Sequence, residues 1–388
     1  MQRSFNKHMS TSPFRYGKVV EGLSFVNRAK EKQMIKNNLL SGINTMLISP
    51  RRLGKSSLVK MAMFELQKEN KDIKVCYIDA FTILTEENFY QSFALETVKA
   101  MGNTWEVWIS TAKKYLKAFS PKISIGSDPM SDFSIGFQLS YIKENELELL
   151  NLPEKMAQSK KIKLIVCIDE FQNLAKLNDY EALEKKMRSV WQHQQNVSYC
   201  LYGSKRHMMI EIFNSSSKPF YRFGQIMYLS KIAKKEWIDF ILHSFEKTGK
   251  KISVDLASKL VDDVQLHSWY VQQYAHFVWN LTVDEVTEEI LQQAAEQVIE
   301  ANLPLYLSEC EALSAGQINL LIAIANGEKS FTSVEVMNKY RLGTPQNVSK
   351  NKLILQRRDF TDKTKDGFVF LDPVFERWFI REYVKRSV

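Results

Sequence analysis

The stretch MLISPRRLGKSS, residues 46–57, decides the fold. It opens as an apolar run typical of a buried strand, Ser49 and Pro50 mark a turn, and apolar residues at helical spacing begin at Leu58. Gly54, Lys55 and Ser56 therefore stand between a strand and a helix. This placement is typical of a phosphate-binding loop, in which backbone N–H groups and the amino end of the helix face an anion.

Each residue of such a loop has its own task. Glycine lets the backbone approach the phosphates, lysine bridges the terminal phosphates, and the next hydroxyl ligates Mg²⁺. Ser49 stands where these loops usually begin with glycine. Serine can make that turn at negative φ, so we expect it to be tolerated, at some cost in affinity or loop shape. The predicted nucleotide-binding residues are Ser49, Pro50, Arg51, Arg52, Leu53, Gly54, Lys55, Ser56, Ser57 and Arg28.

A second motif, KLIVCIDEFQNL at 163–174, places two carboxylates directly after an apolar strand. Because a buried strand would deliver Asp169 to its carboxyl end beside the loop, we expect Asp169 to hold Mg²⁺ through water. Glu170 is then placed to orient or deprotonate the attacking water. The alternative is a pair of surface acids that starts a helix. The two motifs together, in this order, favour the functional interpretation.

Three further residues are candidates with a structural alternative. Ser204 follows a predicted strand and could sense the γ-phosphate, although turn chemistry explains Gly-Ser equally well. Arg222 could be an arginine finger, acting within the chain or across an oligomer, or a structural arginine. Arg28 precedes the first helix and could lie near the nucleotide or only start that helix. The side chains of Arg51 and Arg52 are not expected to contact phosphate.

The pattern along the chain predicts an α/β fold followed by helices. Buried strands alternating with helices predict a parallel five-stranded sheet, with a hairpin inserted near 120–140. Helical patterns at 234–248, 254–266, 270–281 and 286–302 predict a helical lid, and ANLPLY at 301–306 marks a boundary. Three further helices and a hairpin predict a winged helix. The expected domains are 1–229, 230–305 and 306–388, and the expected strands are 43–49, 73–80, 163–168, 197–202 and 225–229.

Composition is that of a folded protein, with 388 residues, 45% hydrophobic and 25% charged. No stretch approaches the ~20 apolar residues that span a bilayer, and the basic N-terminus lacks the apolar segment of a secretory signal, so we expect a cytoplasmic protein without a membrane partner. We expect the four cysteines to be buried hydrophobic residues. The net charge is +9, and residues 313–388 carry thirteen Lys and Arg against eight Asp and Glu. This asymmetry suggests an anionic partner for the C-terminal part or a solvated basic surface.

With these residues in place, the sequence resembles the archaeal-type ATPases of the AAA+ superfamily, close to the STAND group of P-loop NTPases. The resemblance rests on FVNRAKE (25–31), SPRRLGKSSL (49–58) at Walker A, LIVCIDEFQNL (164–174) at Walker B, YGSKRHMM (202–209) and PFYRFGQIMYL (219–229). It implies an AAA+ core with a lid and a winged helix, and ATP with Mg²⁺. Because HSWYVQQYAHFVW (267–279) lacks the arginine that standard AAA+ proteins carry there, we expect slow or partner-stimulated hydrolysis.

These observations predict an ATP-dependent conformational switch with an unknown protein partner. ATP would bind between core and lid, and the winged helix would be presented or withheld. The alternative is a DNA-binding regulator in which nucleotide is mainly structural, with Lys350, Lys352, Arg357 and Arg358 on and after the recognition helix. A small-molecule kinase is a weaker third interpretation, because nothing in the sequence indicates an acceptor pocket.

Overall fold

The computed structural model describes residues 11–18, 25–26, 28–117, 121–128, 131–364 and 367–385. Asn27 of FVNRAKE, the basic residues 1–10 and two residues in the turn of each predicted hairpin, 129–130 and 365–366, lie outside them. The chain forms two compact units. A sheet unit comprises the described residues of 28–51 and 55–230, and a helical unit comprises the described residues of 1–27, 52–54 and 231–388.

The strands of the sheet unit confirm the predicted pattern. They are β1 (Thr45–Ile48), β2 (Ile73–Asp79), β3 (Lys122–Ser124), β4 (Ser134–Gly136), β5 (Lys163–Asp169), β6 (Val197–Gly203) and β7 (Gln225–Tyr228). Five of them form one parallel sheet in the order β2-β5-β6-β1-β7. The central strand β6 is buried along its whole length, as expected for a sheet covered on both faces. In this order the carboxyl ends of β1, β6 and β5 lie side by side.

The predicted inserted hairpin is present as the antiparallel pair β3 and β4. Phe133 and Ile135 are buried in the core of the sheet unit, and the Phe133 ring lies 5.4 Å from that of Trp108. The hairpin is therefore packed into the hydrophobic core through its second half.

Helices cover the sheet and connect its strands. They are α1 (Ala29–Leu40), α2 (Lys55–Glu69), α3 (Glu86–Lys99), α4 (Trp105–Tyr115), α5 (Leu139–Glu144), α6 (Glu146–Leu150), α7 (Leu152–Lys160), α8 (Tyr180–Trp191) and α9 (Arg206–Asn214), with 3₁₀ turns at Ala80–Thr82 and Phe171–Lys176. On α8, the Trp191 ring stacks on Tyr199 of β6 with centroids 4.1 Å apart. Aromatic packing of this kind fastens the helices to the sheet.

The helical unit holds the predicted lid helices and the winged helix around one hydrophobic core. Its elements are α10 (Lys234–Lys247), α11 (Val254–Asp263), α12 (Ser268–Leu281), α13 (Glu288–Glu311), α14 (Ala315–Ala325), α15 (Val334–Tyr340), α16 (Pro345–Arg357), β8 (Thr361–Thr364), β9 (Gly367–Phe370) and α17 (Pro373–Phe379). Helices α14 to α16 and the antiparallel pair β8–β9 confirm the winged helix. Helix α17 and the π-helical turn Ile380–Val384 that follows it were not predicted.

The prediction that the last lid helix ends at residue 302 was wrong. Helix α13 runs as one helix from Glu288 to Glu311 with Pro304 inside it. Proline costs about 3 kcal/mol in a helix interior, so packing has to offset it. Tyr306 and Cys310 beyond the proline are buried in the same core as Leu291 and Val298 before it. A division of the chain at 305 therefore falls within a continuous helix.

All four cysteines are buried and free, as predicted. Among the described helices, none has the length and apolar character needed to cross a membrane.

Candidate active site

The loop between β1 and α2 has the conformation that its sequence requires. Gly54 has φ +87°, in the region that favours glycine, and Arg52 has φ +65°. Ser49 keeps a negative φ and is fully buried. Its backbone N–H donates to the Gly203 carbonyl at 3.4 Å, and its hydroxyl donates to the Pro50 carbonyl at 2.8 Å. Serine therefore makes the turn out of the strand without left-handed strain.

Lys55 begins α2 and its ammonium faces two carboxylates. Its Nζ lies 2.8 Å from Glu170 Oε1 and 3.2 Å from Asp169 Oδ1, and only 10% of its side chain is exposed. The Tyr202 ring centroid lies 5.7 Å away. The sheet order explains why these side chains lie close together. Lys55 follows β1, the acids end β5, and only β6 lies between these parallel strands, so all three carboxyl ends share one edge. The structure thus brings Lys55 and the acid pair together, and their roles at a nucleotide stay predictions.

Ser56 and Asp169 form a second contact at the same edge. The Ser56 hydroxyl donates to Asp169 Oδ2 at 2.7 Å. Mg²⁺ at such sites takes the hydroxyl of the phosphate-binding loop and is held by a carboxylate at the end of another strand, with phosphate oxygens and water completing its shell. No group of three or more His, Cys, Asp or Glu within the described residues could hold a metal by itself. The pair therefore fits an ion bound together with a phosphate.

Glu170 accepts hydrogen bonds from three side chains, those of Lys55, Gln172 and Ser204. It has a left-handed backbone with φ +49°, uncommon for a residue with a side chain. Gln172 Nε2 donates to its Oε2 at 2.6 Å, and the Ser204 hydroxyl donates to the same oxygen at 2.8 Å. Burial by itself would raise the pKa of Glu170, but the Lys55 charge and these two donors hold that pKa below its ordinary value. Glu170 is thus kept ionised.

Of the two residues that donate to Glu170 Oε2, only Ser204 was a candidate from the sequence. Ser204 follows β6 and lies within the cluster, although its hydroxyl faces Glu170. Gln172 was not among the predicted site residues. Its signal was its place two residues after Glu170, in the 3₁₀ turn Phe171–Lys176 that brings its amide back to that carboxylate.

Arg28 and Arg52 contact residues that do not belong to this cluster. Arg28 is buried and donates to the Ser230 carbonyl at 2.9 Å and to Glu31 at 3.2 Å. Arg52, within the helical unit, lies 4.9 Å from the Trp269 ring centroid and donates to the Tyr270 hydroxyl at 3.3 Å. Nucleotide binding by either residue stays a prediction.

Arg222 precedes β7 and is exposed. It lies at the amino ends of the parallel strands, whereas Lys55 and Glu170 lie at the carboxyl ends. This placement does not support a contact with the phosphate site of the same molecule. A role across an oligomer stays a prediction.

The sequence family of ATPase domains predominantly from Archaea matches residues 25–263, well over half of the chain. The chain belongs to this family. A probable winged helix domain matches residues 304–381. A search of curated proteins found no match. The resemblance to the archaeal-type ATPases is thus confirmed, while the narrower STAND grouping stays a prediction.

Solved structures share the fold of this archaeal-type ATPase. A Walker-type ATPase of Pyrococcus abyssi aligns with TM-score 0.67 and 15% identity over 96% of this chain and 98% of that one. The ORC2 protein of Aeropyrum pernix, solved in ADPNP–ADP complexes, aligns with TM-score 0.57 and 16% identity over 97% and 100%. Its ADP form aligns with TM-score 0.53 and 14% identity over 97% of both chains. At these identities the likeness concerns the fold.

Proposed function

We propose that the protein binds ATP with Mg²⁺ at the carboxyl edge of the sheet, hydrolyses the γ-phosphate and uses the cycle as a conformational switch. One observation carries the proposal: Lys55, Ser56, Asp169 and Glu170 form one hydrogen-bonded cluster at the end of β5. A purely structural ion pair would not need a lysine at the start of a helix after a glycine-bearing loop. The family match supports the same reaction class.

Lys55 has the role of binding the phosphates. Its ammonium is balanced by two carboxylates, so a phosphate chain that approaches the loop competes with them for the same cation. Gly54 exposes backbone directly before it, and the amino end of α2 adds a favourable field for negative charge. We infer that Lys55 exchanges its carboxylate partners for the terminal phosphates of ATP.

Ser56 and Asp169 are the residues that would hold Mg²⁺. When bound, the ion supplies neutralisation of the charge that develops on the transferred phosphoryl group. Departure of Lys55 from Asp169 would leave that carboxylate free to face the ion. The oxygen-only pair agrees with a hard divalent cation such as Mg²⁺.

Glu170 has the role of the base in hydrolysis. The oxygen of a water attacks the γ-phosphorus, the bond between that phosphorus and the β–γ bridging oxygen breaks, and ADP leaves with the bridging oxygen. The proton of the water passes to a Glu170 oxygen, giving ADP and inorganic phosphate. When Lys55 turns to the phosphates, Gln172 and Ser204 remain as hydrogen-bond donors to the ionised carboxylate of Glu170.

The decisive experiment is the rate of ATP hydrolysis by Glu170→Gln, with binding of a fluorescent ATP analogue measured beside it. We expect turnover to fall at least about a hundredfold while binding persists, because glutamine keeps the shape but cannot accept the proton. Lys68→Ala, at the exposed end of α2, is the control. Parental hydrolysis by both Glu170→Gln and Lys55→Ala would refute the site. A phosphorylated small molecule in place of free phosphate would point to a kinase.

The switch rests on an ATPase domain and a winged helix domain in one chain. Differential contacts to the γ-phosphate would supply the coupling free energy. Hydrogen exchange of residues 315–370 with ADP and with a non-hydrolysable ATP analogue tests it. We expect protection of the winged helix to differ between the two nucleotides, and identical exchange would contradict the switch.

The alternative function, a DNA-binding regulator, finds mixed support. Lys350 and Arg357 on α16 are exposed. Lys352 instead covers the Phe331 and Phe368 rings, and Arg358 donates to the Ala312 carbonyl at 2.7 Å. Two of the four cations predicted to meet DNA phosphates are thus used within the protein, which favours the switch.

A further inference from the structure

The two oxygens of Glu170 have different partners. Oε2 receives two hydrogen bonds, from Gln172 Nε2 at 2.6 Å and from the Ser204 hydroxyl at 2.8 Å. Oε1 receives only Lys55, at 2.8 Å, among the contacts of the described residues. The carboxylate is therefore clamped through Oε2, while Oε1 faces a cation that the phosphates would draw away.

Gln172 is an unusual residue for its surroundings. Its side chain is 1% exposed and lies between the buried residues Phe171 and Leu174 of the 3₁₀ turn. Its Oε1 has no hydrogen-bond partner in the described part of the chain. A buried amide oxygen without a partner is costly, and an apolar side chain of the same size would avoid that cost. Packing alone therefore does not explain the glutamine.

Gly203 makes room for this amide. A Cβ atom added to Gly203 would lie 1.8 Å from Gln172 Oε1 and 2.8 Å from Met209 Sδ. Both atoms lie at or near the far ends of flexible side chains, so a larger residue at 203 would push Gln172 aside. The orientation of the amide is also determined, because a carboxylate can only accept and so must face the NH₂ group.

We propose that Gln172 is a positioning residue for the carboxylate that activates water, a role that rests on the function proposed above. Together with Ser204 it fixes Glu170 Oε2. The other oxygen, Oε1, then points to the place from which Lys55 departs, and it is the oxygen that receives the proton of the attacking water. Without the amide the carboxylate can rotate, and fewer encounters with water have the required geometry.

The experiment measures single-turnover ATP hydrolysis by Gln172→Met, with affinity for a fluorescent ATP analogue and thermal stability measured in parallel. Methionine keeps the length and removes the donor. We expect the rate to fall about ten- to a hundredfold, as for loss of a hydrogen bond to a charged group. Affinity should stay within about twofold and the melting temperature should not fall, because the buried unpartnered oxygen is removed as well.

Two further variants separate positioning from packing. Gly203→Ala leaves Gln172, Glu170 and Ser204 unchanged in sequence but displaces the amide, so its rate should fall in the same direction. The rate of the double variant Gly203→Ala, Gln172→Met should be little lower than that of either single variant, because both substitutions act through the same hydrogen bond. Gln172→Glu keeps the shape but places a like charge beside Glu170, so its rate of hydrolysis should fall at least as far as that of Gln172→Met. If Gln172→Met does not fold, Gly203→Ala and Gln172→Glu test the proposal in its place.

The outcomes are distinguishable from failure of the ATPase assignment. If Gln172→Met hydrolyses ATP at the parental rate while Glu170→Gln is inactive, Gln172 has no positioning role and the proposed function stands. If the rate, the affinity and the melting temperature of Gln172→Met all fall together, the residue is structural and the inference is wrong. Parental hydrolysis by Glu170→Gln would show that Glu170 is not the base, and the inference would fall with that role.

Discussion

Lys55 and Lys352 are both lysines that the sequence places where a phosphate could bind, yet their surroundings differ. The Lys55 ammonium lies between the carboxylates of Asp169 and Glu170. The Lys352 ammonium lies 4.5 Å from the Phe331 ring centroid and 5.1 Å from that of Phe368. Burial lowers the pKa of Lys352. One cation has exchangeable acidic partners and the other is covered by rings, so position in the sequence does not tell which lysine is available to a phosphate.

The largest predicted effect is on ATP turnover, which should depend on Lys55 and not on Lys352. We expect Lys55→Ala to reduce steady-state ATP turnover at least about a hundredfold, because the developing charge on the phosphoryl group loses its cation. Lys352→Ala should keep turnover within about twofold of the parent. A phosphate-release assay at saturating ATP measures both. Equal losses of ATP turnover in the two variants would show that Lys55 and Lys352 do not differ in their catalytic role.

Two carboxylates, one partly buried and one fully buried, extend the comparison to acids. Glu170 has Lys55 and two donors, whereas Glu184 on α8 is fully buried, and burial raises its pKa to about 7 against the opposing Lys218 charge and Phe220 backbone. Because the folded state then binds a proton that the unfolded state releases above its ordinary pKa of 4.5, the free energy of unfolding should fall as pH rises from 4.5 to 7. Glu184→Gln should remove this fall.

Chemical denaturation between pH 4.5 and 8 measures the effect of Glu184→Gln. The variant should be more stable than the parent at pH 8 and closest to it near pH 4.5. Glu181→Gln is the control, since Glu181 lies on the same helix with 71% of its side chain exposed. An unchanged pH dependence in Glu184→Gln would mean that Glu184 does not carry the titration.

The aromatic cover of Lys352 should have a modest effect on stability. Lys352→Ala loses both the cation–π contact and the packing of the lysine stem on Phe331 and Phe368, so we expect a loss of about 1 kcal/mol in the free energy of unfolding. Lys350→Ala, an exposed lysine on the same helix, should change that free energy by less than about 0.5 kcal/mol. Thermal and urea denaturation measure both. Equal effects would show that the rings do not hold Lys352.

The smallest predicted effect is on the salt dependence of the affinity for DNA. With Lys352 and Arg358 engaged within the protein, at most Lys350 and Arg357 of the predicted set can contact phosphates. The slope of log affinity for duplex DNA against log salt concentration should therefore be no steeper than about −2. The double variant Lys350→Ala, Arg357→Ala should flatten it further. A slope near −4 would mean that all four cations reach phosphates.

Much of the fold could be predicted because its signals are local. The apolar run before Asp169 makes a strand wherever it lies, and Gly54-Lys55-Ser56 after a strand needs no distant partner to be recognised. Pro304 shows the limit of this approach. A local rule predicts a break there, but α13 continues because Tyr306 and Cys310 find a core supplied by remote helices. The role of Gln172 was missed for the same reason, since nothing local indicates that Gly203 leaves room for its amide.

The sequence by itself determined the order of strands and helices, the loop that begins α2 and the acids that end β5. These features depend on apolar periodicity, backbone preferences and residue chemistry within short windows. Only the tertiary structure decided that Lys55 forms ion pairs with both acids, that Lys352 is covered by rings and that Gln172 and Ser204 share one carboxylate oxygen. Such pairings depend on how strands far apart in sequence are ordered in the sheet and on which polar groups are buried together. That outcome is set by packing and desolvation over the whole unit.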